Sequence, residues 1–385
     1  MMKLLYIHTE VISDQDVADS LIRMFGTIAE YRDVAINVDT LVYMIEEQGI
    51  EFVMALKYIP MISILCEAMQ VQYISWICLP YDKNIYSYTL LNSCNHLFFA
   101  DSSLYEKFSS DDFQNVYYLP LGVNVSRIDE ILLKRNLKED QTIDLIMSED
   151  IFDRSELKEY QLLKKSGLKD ATLGYLEGCF ACQYQLSGIP LMTNRFPEYA
   201  WEDLQKQLPI QFSQDSIETL DDAYNSRIFN SVITNSDRDI HFNILADNVH
   251  FKKCEIYTNG DHYMCDLANV CNKYNYLRDL PKIAARGKLH LVITDRNWKN
   301  GISQIAWDIM ASGGAIISNY QRDYKLLFDT TPMLYTDINE LMYNAVYLIK
   351  HDLKRQSNAI EIQNEIREKH DYSFRLKEMF SKVMK

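Results

Sequence analysis

The chain has 385 residues, 48% of them hydrophobic and 24% charged, and 39 Lys and Arg against 54 Asp and Glu give a net charge of −15. This is globular composition, which excludes a disordered or fibrous chain, and at about 150 residues per domain it implies two to three domains. A surface this acidic repels a phosphate backbone and argues against nucleic-acid binding, and only 12 Gly and 8 Pro argue against a loop-rich all-β protein.

The first apolar run, Lys3 to Ile7, is too short for a signal sequence and reads as a first strand. Val17, Leu21, Ile22, Phe25, Ile28 and Ala29 then recur at helical spacing. Further strands are expected over Phe52 to Leu56, Tyr73 to Cys78, Leu97 to Ala100 and Val116 to Leu119. Pro60 opens a helix, and Asp101-Ser102-Ser103 reads as a helix cap. Strands alternating with helices at this spacing predict a parallel, doubly wound sheet.

The charged stretch from Lys134 to Asp140 is the best linker. A new strand is expected over Ile143 to Met147, then an almost wholly helical stretch from Phe152 to about Asn248. The α/β rhythm returns at Cys254 to Tyr257 and Lys288 to Thr294, followed by a helix over Ile302 to Ala311 and a strand over Ala315 to Ser318. Helices over Leu341 to Ile349, over Leu353 to Ile366 and from about Tyr372 complete the chain. The expected domains are therefore 1–138, and 139–370 with a helical insertion at about 152–250, with a last helix, 371–385, packing back on the first domain. No window approaches ~18 uninterrupted apolar residues, so the chain reads as cytoplasmic, without a transmembrane segment. Cys179-Phe-Ala-Cys182 has no second pair to complete a zinc site and reads as buried free thiols. The eight histidines form no metal-ligand pair at helical spacing, and no metal is expected.

The densest candidate segment is Leu289 to Tyr320. A strand ends at Thr294, a polar loop carries Arg296 and Lys299, a helix carries Asp308, and Ser312-Gly313-Gly314 turns into the next strand. In open α/β sheets ligands bind beyond the carboxyl ends of strands. Arg296 and Lys299 stand where a diphosphate could be neutralised, Asp308 could accept from sugar hydroxyls, and the glycines permit close backbone approach. The same residues also fit a plain helix cap with solvated charges. No GxGxxG follows Ile7, and GxxxxGK[ST], GxSxG and HExxH are absent, which disfavours dinucleotide oxidoreductases, P-loop NTPases and hydrolases of those kinds.

The chain resembles the bacterial CgeB-like glycosyltransferases, relatives of a spore-maturation protein. The resemblance rests on Gly301-Ile302, Asp308 to Ala311, Ser312-Gly313-Gly314, Ser318 to Gln321 and His370 to Arg375, and in the first half on Tyr58-Ile59-Pro60, Ile74-Ser75-Trp76 and Val116 to Leu121. It implies a GT-B-like fold, in which two Rossmann-type parallel-sheet domains face each other across a cleft. It also implies transfer of a sugar from a nucleotide-sugar donor to a protein or glycan acceptor, in glycan biosynthesis. The donor would lie against Tyr257, Arg296, Lys299, Gly301, Asp308, Ser312, Gly313, Gly314 and Asn319, with Tyr58 and Trp76 on the acceptor side. Positive charge or helix N-termini, and no cofactor or required metal, would serve the leaving diphosphate. Three departures stand out. Ile77-Cys78 replaces an aspartate after Ser75-Trp76, Gln304-Ile305 stands where an arginine is common, and Met147-Ser148-Glu149-Asp150 lacks the usual glycine. Asp82, the nearest acid to the lost aspartate, or a near neighbour in the Pro80 to Asn84 loop, is expected to face the acceptor, with Asp82 as the catalytic base of an inverting reaction; the same residues also fit a simple turn. The departures also keep open a non-catalytic subunit that binds sugar or stabilises a partner protein.

Overall fold

A computed structural model of the chain describes residues 2–33, 35–109, 113, 115–192 and 196–384. Residues 1 and 385, at the ends of the expected terminal segments, lie outside the described residues. Two six-stranded sheets organise the molecule, and every strand pair in them is parallel. The first has the order β2-β1-β3-β4-β5-β6, with β1 Leu4–Ile7, β2 Ala29–Tyr31, β3 Phe52–Ala55, β4 Gln72–Ile77, β5 Asn95–Phe99 and β6 Val116–Tyr118. The second has the order β12-β11-β10-β7-β8-β9, with β7 Ile143–Met147, β8 Cys254–Thr258, β9 Asn269–Asn272, β10 Gly287–Val292, β11 Ile316–Asn319 and β12 Met333–Tyr335. This is the expected α/β arrangement of two Rossmann-type domains. Helices cover both faces of the sheets, and β1, β5, β7, β8 and β11 are buried along their whole length.

The structure corrects the sequence reading at the edges. The first helix, Asp14–Phe25, stops at Gly26 with φ 85°, and Ala29 belongs to edge strand β2 rather than to the helix. Edge strands β9 and β12 carry no long apolar run and were not expected.

Between β7 and β8 the chain forms the helical insertion. Its helices Lys158–Lys165, Asp170–Gln183, Glu198–Gln207 and Asn230–Ala246 enclose an apolar cluster of their own around Phe180, Leu204, Tyr224 and Phe229. Cys179 and Cys182 are free, but Cys182 is exposed and Cys179 half-buried. The helix buries Thr172, Leu176, Phe180 and Gln183, and the cysteines fall beside that stripe.

A separate apolar cluster joins the two sheets, running from Leu4, Ile74 and Trp76 to Trp307, Met310 and Tyr324. The last helix, Tyr372–Val383, packs on Asp14–Phe25, with the Phe25 and Phe380 rings edge to face at 5.0 Å. Across the return crossing Val123 N–H donates to His370 O, and Tyr372 N–H donates to Val123 O.

Candidate functional site

The carboxyl ends of the two sheets face a cavity of about 420 Å³. The first domain supplies Pro80, Tyr81, Ile85 and Tyr86 from the loop after β4, and Lys107 from helix Ser102–Phe108. The second supplies Arg296 to Asn300 after β10, Asn319 at the end of β11, and Tyr320 and Gln321 after it. The insertion closes a third side with Gln183, Gly188 to Pro190, Asp222, Ser226 and Asn230. A larger hollow of about 660 Å³ lies by Gln141, Ala285 and Ala315, at the amino ends of β7, β10 and β11. In parallel sheets binding occurs at the carboxyl ends, so the smaller cavity is the candidate site.

Arg296 is held by the insertion. Its Nε donates to Asp237 Oδ2 at 2.7 Å, and its Nη2 donates to the carbonyls of Gln183 at 3.1 Å and Leu186 at 2.9 Å. Lys299 reaches back to the Arg296 carbonyl at 3.3 Å. Asn319 ties β11 to β10 by accepting from Thr294 N–H and donating to Thr294 O. Gln321 also lines the cavity, and its buried Oε1 has no partner among the described residues. Glu149 lies in the crevice between β7 and β10, where the strand order of the second sheet reverses. Its carboxylate accepts from Ile293 N–H at 2.7 Å and faces Arg238, and burial pushes it up to about 7.

Two carboxylates clasp the domains together. Asp101, at the end of β5, accepts on Oδ2 from the backbone N–H groups of Lys299, Asn300 and Gly301 at 2.7, 3.1 and 3.1 Å. Three N–H groups converging on one oxygen form an anion nest, filled here by the opposite domain. Asp323 returns the contact, accepting from Ser102 N–H, Ser102 Oγ and Tyr118 OH. The insertion is also tied to the first domain. Tyr81 OH donates to Glu218 at 2.7 Å and accepts from Arg227, Ile217 N–H donates to Tyr86 O at 2.7 Å, and Lys107 pairs with Asp222 at 2.9 Å.

Of the residues singled out in the sequence, the structure brings Arg296, Lys299 and Asn319 to the cavity. Gly301 stands just behind it, where a Cβ would meet the Trp298 ring at 2.5 Å. Asp308 is not on the cavity wall: it is buried at the domain interface, accepting from Tyr276 OH at 2.8 Å and facing Arg127 at 3.5 Å. Ser312 and Gly313 line the hollow at the amino ends, and Gly314 packs on Ile309 and His290. Tyr257 turns to Glu255 and Arg286. Tyr58 and Trp76 are fully buried, bonded to Thr89 and to the Leu119 carbonyl. Asp82 caps the turn Lys83–Tyr86 by accepting from Asn84 N–H at 2.9 Å, and burial raises its carboxyl. Asp308, Tyr257, Tyr58 and Trp76 are thus engaged in interior contacts and Asp82 in a cap, with Asp82 Oδ2 buried and unpartnered among the described residues. Tyr81 belongs to the Pro80 to Asn84 loop that the sequence pointed to, whereas Lys107, Asp222, Asn230 and Gln321 were missed. Gln321 follows a strand, but Lys107, Asp222 and Asn230 lie on helices, and their convergence depends on how the insertion docks.

Residues 234–381 match a family model described as glycosyl transferase-like. The chain aligns over its whole length with solved GT-B glycosyltransferases. An α,α-trehalose-phosphate synthase (UDP-forming) from Burkholderia vietnamiensis matches with TM-score 0.53 at 12% identity, covering 100% of both chains. The α,α-trehalose 6-phosphate synthase from Burkholderia multivorans matches with TM-score 0.52 at 10% identity, covering 100% of this chain and 97% of that one. Sucrose-phosphate synthase from Thermosynechococcus elongatus matches with TM-score 0.52 at 8% identity, covering 100% and 99%. The chain has the GT-B fold. None of the curated proteins compared with it matches. Among the described residues, no helix is long and apolar enough to cross a membrane, and no group of three or more His, Cys, Asp or Glu is arranged to hold a metal ion.

Proposed function

We propose that the chain is a CgeB-like glycosyltransferase that moves a sugar from a nucleotide-sugar donor to a protein or glycan acceptor in the cytoplasm. The observation that carries this reading is the position of Arg296 and Lys299, on the second-domain wall of a cavity between the carboxyl ends of two parallel sheets. In this reading the donor lies against the second domain, and the two cations stabilise the departing diphosphate. Gln321, with its unpartnered oxygen, is available to a donor hydroxyl. The acceptor enters past Tyr81 and Tyr86, and closure of the domains keeps water from the reacting carbon. The UDP-forming synthase of the same fold makes uridine diphosphate the first leaving group to test.

The test is calorimetry and thermal shift with UDP, GDP, TDP and ADP. A ligand at ~100 times its dissociation constant stabilises by about 2.7 kcal/mol, enough to move the melting temperature by a few degrees. Absence of binding to all four rejects the reading. A second reading, a non-catalytic relative that stabilises a partner, is favoured by Asp101 filling the anion nest at Lys299 to Gly301. It predicts no release of diphosphate from any nucleotide sugar, with or without acceptor.

A further inference from the structure

We infer that the insertion helix Asn230–Ala246 is the positioning element for Arg296, with Asp237 as its principal residue. Three side chains on one face of this helix, at i, i+4 and i+7, contact the loop after β10. Asn230 Nδ2 donates to Asn297 Oδ1 at 2.8 Å, Thr234 Oγ1 accepts from Arg296 N–H at 3.0 Å, and Asp237 Oδ2 accepts from Arg296 Nε at 2.7 Å. All three are nearly or fully buried, at 6%, 2% and 1% exposure. One helix thus sets both the backbone and the side chain of Arg296.

The other anchors come from the end of helix Asp170–Gln183, whose Gln183 and Leu186 carbonyls accept from Arg296 Nη2. With Nε and Nη2 engaged, Nη1 has no partner among the described residues, and Arg296 lines the cavity. A guanidinium held along one edge and open at one corner is aimed, and it loses little freedom on meeting an anion. Asp237 therefore acts on the donor through Arg296 without itself lining the cavity. This inference rests on the reading of Arg296 as a diphosphate contact.

A double-mutant cycle on the full chain tests it, with UDP affinity measured by calorimetry. Arg296→Ala should weaken UDP about tenfold or more. Asp237→Ala should weaken it about fivefold to tenfold in the wild-type background and by less than about twofold in the Arg296→Ala background, because its effect is transmitted through the missing side chain. If Asp237→Ala does not fold, Asp237→Asn enters the same cycle and should show a smaller loss with the same dependence on Arg296. A purely structural role would give the same loss in both backgrounds, and that result overturns the inference. Unchanged affinity in Asp237→Ala beside a loss in Arg296→Ala also overturns it and leaves the functional reading standing. Unchanged affinity in Arg296→Ala, or no binding of UDP, GDP, TDP or ADP to the wild type, removes both.

Discussion

Asp308 gives a sharp test of the buried electrostatics. Arg127 donates from Nε to Asp16 Oδ1 at 2.7 Å and from Nη2 to Asp16 Oδ2 at 2.8 Å, and its Nη2 lies 3.5 Å from Asp308 Oδ2. One guanidinium therefore serves two buried carboxylates, and Asp16 holds the better geometry. Burial first, with repulsion from Asp16 acting against the attraction of Arg127, pushes the Asp308 carboxyl up to about 6. Its unfolded value is about 3.9. Between pH ~4 and ~6 the folded state holds the extra proton, so this site's contribution to stability falls as pH rises through that window. A rise of about two pKa units amounts to roughly 3 kcal/mol of penalty at pH 7. Asp308→Asn imitates the protonated form and can still accept from Tyr276 or Gln304. We expect it to be more stable than wild type at pH 7, by up to about 3 kcal/mol, and close to wild type at pH ~4. Urea unfolding of both proteins at a series of pH values reads the difference directly. A variant less stable than wild type at pH 7, or a difference that does not change with pH, refutes the reasoning. Arg127→Ala is the companion: it leaves both carboxylates buried without a cation and should cost about 3–5 kcal/mol.

Asp101→Asn replaces a charged acceptor for three backbone N–H groups and should cost about 1.5–3 kcal/mol in chemical denaturation; a smaller loss would mean that the nest does not hold the domains together. Gly301→Ala forces a Cβ to 2.5 Å from the Trp298 ring and 3.2 Å from the Asp101 Cα, and should destabilise by about 1–3 kcal/mol in the same assay. Asp82→Asn keeps the cap to Asn84 N–H and should leave diphosphate release from a verified nucleotide sugar unchanged; a loss of more than about tenfold would return Asp82 to the reacting centre.

The central strands of both sheets were legible in the sequence because a parallel strand covered on both faces is mostly apolar, as Leu4–Ile7 is throughout and Ile143–Met147 is apart from Asp144, whose carboxylate pairs with Lys288. The helices between β7 and β8 and the late helices were legible from their period. Edge strands β2, β9 and β12 were not, because three or four residues at a sheet margin need neither an apolar run nor an alternating pattern. Chain order was also enough to place Arg296 and Lys299 in a loop at the end of a strand, where a parallel sheet exposes its ligand-binding edge. Asp308 shows where that reasoning stops. Its helix, Gln304–Ala311, is buried almost all round, so no stripe of apolar residues shows which side faces the cavity. Only packing against Arg127 and Tyr276 turned the carboxylate to the domain interface. Arg296 meets Asp237 across 59 positions of sequence, and Tyr81 meets Glu218 across 137. Such polar contacts have no periodicity to announce them, because they arise only once each apolar face is buried and the insertion is set against both domains.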